Sequence, residues 1–244
     1  AYDNNDYFNN YYIGKTQVLP SKGTVKLLTI PVWFNDSDLF FTKAQQAQML
    51  EDVEYTVKGN RPDSELKSVK QYYEAQSYGA LTMDITVSDA FYCSPTSYED
   101  YTDNIEEKLT NVYDLGTSAI SWYFESHTNE SLEDYDLNGD GYLDGLLLYY
   151  GANWYGASGD KNRSIAFEVN NNDNHTYSFN TMAFCPLGGL YGLDKKDPAE
   201  QLKVDDLSVR YRWWFDESAR TMIHEVGHMF GNVDLYEDQF STER

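Results

Sequence analysis

One stretch constrains this chain more than any other: HEVGHMFGNVD, residues 224–234. It holds two of the four histidines in 244 residues, four positions apart. On an α-helix, positions i and i+4 share a face with Cβ atoms roughly 5–6 Å apart, so His224 and His228 present two imidazole nitrogens to one cation. The spacing predicts a helix from about Asp216 to Phe230, stopped at Gly231, whose missing Cβ permits the left-handed turn that reverses the chain. Asp234, three residues past that turn, swings back as a third ligand. Two histidines and one carboxylate leave the fourth tetrahedral corner to water, the catalytic pattern for zinc; structural zinc usually recruits a fourth protein ligand. Chance is a poor explanation: HExxH alone arises in something like ~0.5% of chains this long, and Gly and Asp at fixed offsets lower that by roughly several hundred-fold.

Glu225 projects from the neighbouring edge of the same face, near enough to serve a water at the metal without ligating the ion. The expected chemistry follows: zinc acidifies the water, Glu225 takes its proton as a carbonyl is attacked, and Glu225 returns the proton to the leaving amine. That is peptide-bond hydrolysis without a covalent intermediate. Nothing competes as a nucleophile. GASGD (156–160) has the wrong spacing for a serine elbow, and Cys93 and Cys185 lie in no catalytic signature. Whether those two cysteines pair is left open by the sequence.

A second acidic motif is DLNGDGYLD, residues 136–144. Asp136, Asn138 and Asp140, with the Tyr142 carbonyl and Asp144, follow the front half of an EF-hand loop, with Gly141 at the turn. The back half departs from it, because Leu147 stands where a bidentate Glu completes the usual set. Calcium here needs ligands from elsewhere, with Asp134 one candidate, and its role is to hold a loop. A plain Asp-Gly turn is the competing reading.

Eighteen Lys and Arg against 40 Asp and Glu give a net charge of −22, which repels phosphate backbones and anionic membranes. Nucleic acid is therefore not expected as a partner, and no apolar run reaches the roughly 18 residues of a spanning helix. No basic-then-apolar leader opens the chain, which reads as a mature form or as a piece made for expression. The Asn-x-Ser/Thr sites at Asn35, Asn129, Asn162 and Asn174 matter only in a eukaryotic secretory pathway. Trp213 and Trp214, after the basic VRYR, are candidates for lining a subsite or simply for packing.

The remaining pattern predicts an α+β fold: an irregular arm over residues 1–22, then one domain over 23–244. Residues 24–34 read as a strand pushed toward an edge in its second half by Pro31. A helix follows Thr42 with Ala44, Ala47, Leu50 and Val53 on one face, and another runs from about Ser64 to Ser77. LTMDITV (81–87) alternates as a one-faced strand, and 98–127 reads as two helices broken around Gly116. Strands are expected at 145–150, 164–169 and 177–185.

Four blocks together resemble one family, the immune inhibitor A-like secreted bacterial zinc metalloproteases: VKLLTIPVWFND (25–36), SVKQYYEAQSYGALTMD (68–84), DLNGDGYLDGLLLYYGA (136–152) and HEVGHMFGNVDLYE (224–237). The resemblance implies His224, His228 and Asp234 as zinc ligands and Glu225 as general base. It also implies a zincin-like or metzincin-like upper subdomain, with a twisted mixed sheet over the active-site helix, and an edge strand that aligns an extended protein or peptide substrate. Bound calcium and export from the cell are implied too. Two departures stand out. The family continues past the third ligand into a lower subdomain that floors the cleft, whereas this chain stops at Arg244, so the expectation is either a cleaved or truncated form or a C-terminal companion segment that completes the cleft. Asn232 and Val233 replace the Leu-Pro common before the Asp. Two rivals remain: a calcium-bound, catalytically inactive binding or surface module derived from such a protease, and a zinc hydrolase for a non-peptide amide. Intact Glu225 argues against the first, since a binder has no use for a base beside the metal.

Overall fold

The computed structural model describes residues 19–39, 41–59, 68–97, 109–151, 165–168, 177–187, 219 and 221–232. Its centre is β1 (Gly23–Trp33), whose alternating residues are buried on both sides. Val25, Leu27 and Trp33 join one core, and Leu28, Ile30 and Val32 join the other. A strand with two buried faces reads as a continuous apolar run, and this one is flanked by parallel neighbours, as such strands usually are.

The helices α1 (Gln46–Lys58) and α2 (Val69–Gln76) lead to β2 (Leu81–Val87) and the short β3 (Tyr92–Cys93). After α3 (Leu109–Ser126) come β4 (Leu143–Tyr150), β5 (Ile165–Glu168) and β6 (Phe179–Pro186), and residues 221–229 form α4. The strand order is β2-β1-β4-β6-β5, with β3 also on β1. Every pairing is parallel except that of β5 with β6, which is antiparallel. The fold is thus a largely parallel mixed sheet with helices on both faces, which fits the expected α+β class. One face packs α1, α2 and α4 over Leu147, Tyr149 and Cys185; the other packs α3 over Leu146, Leu148 and Phe184.

Three expectations are corrected. Pro31 does not put β1 at an edge: on its other side β1 pairs with β4 from Leu27 to Val32, Pro31 itself standing opposite Tyr149. The pairing with β2 ends at Thr29 and that with β3 begins at Val32, so the missing N–H falls in the gap between two partners. Next, α1 buries Met49, Val53, Thr56 and Val57, while Ala44 and Ala47 are exposed; the larger side chains displace more water and win the sheet-facing side. The Thr42 amide donates to the Gln45 side chain at 2.8 Å, where the helical stretch begins.

The third correction concerns Gly116. Helix α3 passes through it unbroken. A Cβ there would lie 2.6 Å from Cε1 of Phe179 and 3.2 Å from Cδ2 of Leu146, so the glycine serves close approach of helix to sheet.

Ser68 caps α2 by accepting from the Gln71 amide, and residues 64–67 lie outside the described set. Two α2 side chains then cover the outer edge of β2: Glu74 accepts from the Met83 amide at 3.0 Å, and Lys70 donates to the Met83 carbonyl at 2.8 Å. Among the described residues β2 ends the sheet, and this pair occupies the backbone of Met83 on its outer edge. Of the expected arm, Leu19 is buried, and its amide donates to the Met229 carbonyl at the end of α4. Among the described residues, no helix is long and apolar enough to cross a membrane.

Candidate metal centre

Helix α4 docks on the sheet through Met222, Val226 and Met229. Met229 reaches over Gly145, where a Cβ would lie 2.9 Å from the methionine methyl. Each of these side chains contributes about 1.5–3 kcal/mol on leaving water. A single hydrogen bond adds about 0.5–1.5 kcal/mol. Apolar burial therefore holds the helix down, and polar contacts adjust its placement.

The helix ends as the glycine predicts. Gly231 has φ +82°, its amide donates to the His228 carbonyl at 2.8 Å, and the Asn232 amide donates to the Gly227 carbonyl at 3.0 Å. These two bonds make a Schellman turn. The turn also brings the Asn232 carbonyl over the last helical turn, where it accepts from Nδ1 of His228 at 2.8 Å. A carbonyl has no proton to give, so Nδ1 carries the hydrogen and the lone pair of a neutral His228 sits on Nε2. Metal-ligating histidines are oriented by this type of contact.

That Nε2 lies 3.2 Å from Nε2 of His224. For zinc–nitrogen bonds of about 2.0–2.1 Å at a tetrahedral angle, two ligand nitrogens stand roughly 3.3 Å apart. The pair fits that spacing before any side chain moves. His224 is exposed and His228 half-buried, so the face is reachable from solvent. Glu225, on the flank of the same helix, is only 6% exposed. A carboxyl group taken so far out of water is costly unless it is partnered.

Asp234 lies outside the described residues, as do Val233, Trp213, Trp214, Asn162 and Asn174. The structure brings His224, His228 and Glu225 onto one helix; among the described residues, no group of three His, Cys, Asp or Glu side chains gathers to hold an ion.

The acidic loop takes a tight form. Asp136 accepts from the amides of Gly139, Asp140 and Gly141 at 2.7, 3.1 and 2.7 Å, with Gly139 and Gly141 both at positive φ. Asn138 accepts from the Asp140 amide, and Asp140 from the Tyr142 amide. Asp144 is buried and accepts from the Leu137 amide at 3.3 Å. Burial chiefly, then the charges of Asp136 and Asp140, push its carboxyl up to about 6, against the lowering effect of that amide. Asp134 turns away to accept from the Ser131 amide, and Leu147 is buried in β4, so neither completes the loop. A cavity of about 530 Å³ beside the loop is lined by Phe124, Glu130, Asp136 and Tyr177, and neither His224 nor His228 lines it.

Two residues of these sites were not found from the sequence. Asn180, on β6, donates to Asp140 at 2.9 Å, a contact across 40 residues with no local signal. Tyr73, on α2, donates its hydroxyl to the Ile223 carbonyl of α4 at 2.5 Å. Its only trace was the double tyrosine of the second family-like block. Cys93 is exposed, Cys185 is buried, and both are free thiols.

Compared with known proteins, the chain matches no family model and no curated sequence.

Proposed function

We propose that this chain is a secreted zinc endopeptidase acting on protein or peptide substrates. The observation that carries the reading is the 3.2 Å approach of the two Nε2 atoms on α4, with the other nitrogen of His228 tied to a carbonyl. His224 and His228 would hold the metal, with Asp234 completing the set. When bound, zinc supplies Lewis acidity that acidifies water and polarises the scissile carbonyl.

The work of the chain's own residues follows from their placement. Glu225, buried on the flank of the histidine face, accepts a proton at its carboxylate as the peptide carbonyl is attacked and returns it to the amine that leaves. Its burial strengthens its interactions with developing charge, because little water is present to screen them. Among the described residues antiparallel β5 is the end strand beside β6, and its outer edge would offer an extended peptide a row of backbone partners; Met222 of α4 packs on Cys185 of β6.

Asp136, Asn138, Asp140, the Tyr142 carbonyl and Asp144 are proposed to hold calcium as a loop clamp. The support is the shape of the loop, in which Asp136 gathers three successive amides around a glycine turn, as the first position of a calcium loop does.

The test compares casein cleavage by the wild-type chain and by Glu225→Gln, with zinc content measured on both and a chelator arm. Loss of a general base costs about 10²–10⁴-fold in rate. The reading predicts that loss with zinc content unchanged, and silence of the wild type after chelation. Equal cleavage by the two proteins overturns the base; a wild type that takes up zinc yet cleaves nothing favours a binding module.

A further inference from the structure

Helix α4 carries a glycine between its two histidines, where alanine is the better helix former. Its neighbour explains the choice. A Cβ on Gly227 would lie 3.1 Å from the hydroxyl of Tyr73. That hydroxyl donates to the Ile223 carbonyl, one turn earlier on the same face as Gly227. The Tyr73 ring packs against Phe230, with centroids 5.0 Å apart. Burial first, with Tyr72 and Glu225 adding, pushes the hydroxyl far above its usual range, so it remains a donor.

We propose that Tyr73 is a positioning residue for the metal centre and that Gly227 is the notch that admits it, the pair setting the rotation of α4 about its axis. The contacts of Met222, Val226 and Met229 fix how deep the helix sits, but apolar burial is non-directional. A hydrogen bond is directional. Ile223 and Gly227 each precede a histidine, so any roll that breaks the Tyr73 contact turns His224 and His228 through the same angle. Tyr73 is itself held, because its helix is tied to β2 through Glu74 and Lys70. The catalytic consequence rests on the zinc reading above; the geometric claim does not.

The test uses Tyr73→Phe, Gly227→Ala and the double variant in the full chain. Zinc affinity is read by competition with a chromophoric chelator, ligand geometry by the visible band of cobalt(II), and ring placement by the imidazole resonances of the metal-free protein. Each single variant is expected to weaken zinc about tenfold, as supporting contacts around metal ligands do, to alter the cobalt band and to shift the resonances of both histidines. Peptide cleavage should lose kcat with KM unchanged. Removing the Tyr73 oxygen makes room for the alanine methyl, so the double variant should be no worse than Tyr73→Phe alone. Imidazole resonances and zinc affinity of Tyr73→Phe equal to wild type overturn the proposal, as do losses that simply add. A wild type that binds no zinc sinks the zinc reading alone, and the metal-free resonances still decide the positioning claim. Should Gly227→Ala fail to fold, Tyr73→Phe, which deletes one oxygen, decides by itself.

Discussion

His228 and Asn232 are joined across a glycine turn: Nδ1 of the histidine donates to the carbonyl of the asparagine at 2.8 Å. The bond exists because Gly231 stands at φ +82° and folds Asn232 back over the helix end. An L side chain in the left-handed region costs roughly 1–2 kcal/mol. Gly231→Ala should therefore lower stability by about 1 kcal/mol or more. It should also weaken zinc about tenfold, the usual penalty for losing a contact that orients a ligand. Thermal melts and chelator competition measure the two effects separately. Zinc binding unchanged in a destabilised variant would show that the turn serves the helix alone.

Gly116→Ala pits two effects against each other. Alanine improves helix propensity by roughly 0.5–1 kcal/mol. The new methyl would stand 2.6 Å from a Phe179 carbon, and overpacking of that type costs about 1–3 kcal/mol. Clash should win, giving a net loss of about 1–2 kcal/mol in urea unfolding. A stabilised variant would mean that the Phe179 ring turns aside for the new methyl at little cost.

These glycines mark what the sequence shows and what it hides. Gly231 was readable as a helix stop because the apolar period ends there and the function of the residue is local. Gly116 was misread as a break for a matching reason: its cause, Phe179, lies 63 positions away and leaves no periodic trace. Pro31 shows the same limit, since nothing near it reveals that two short strands share one side of β1. The histidine pair was legible because both histidines and Glu225 fall within one helical turn and a half. Tyr73 and Asn180 were not, because each reaches its partner only after the chain has folded.

Calcium binding to the 136–144 loop should appear as concentration-dependent stability. A ligand bound only by the folded state adds about 2.7 kcal/mol at 100 times its dissociation constant. For a chain of this size that is roughly 5–10 °C in thermal midpoint. Chelation should remove the gain, and Asp136→Asn, which alters the acceptor of three loop amides, should abolish the response. A midpoint indifferent to millimolar calcium in the wild type would reduce the loop to an Asp-Gly turn.

Ser37 ties the end of β1 to the end of β4. Its hydroxyl accepts from the Phe34 amide at 2.8 Å and donates to the Gly151 carbonyl at 2.5 Å, fully shielded from solvent. In Ser37→Ala both backbone groups lose a partner where water cannot replace it, and each buried orphan costs about 1–3 kcal/mol. The expected loss is about 2–3 kcal/mol, or roughly 5–10 °C in melting temperature. Asn35→Ala is the matched control two residues away: it removes an exposed bond to the Pro95 carbonyl and should stay within about 0.5 kcal/mol of wild type. Equal melting of the two variants would show that water enters beneath Ser37 and satisfies what the hydroxyl leaves behind.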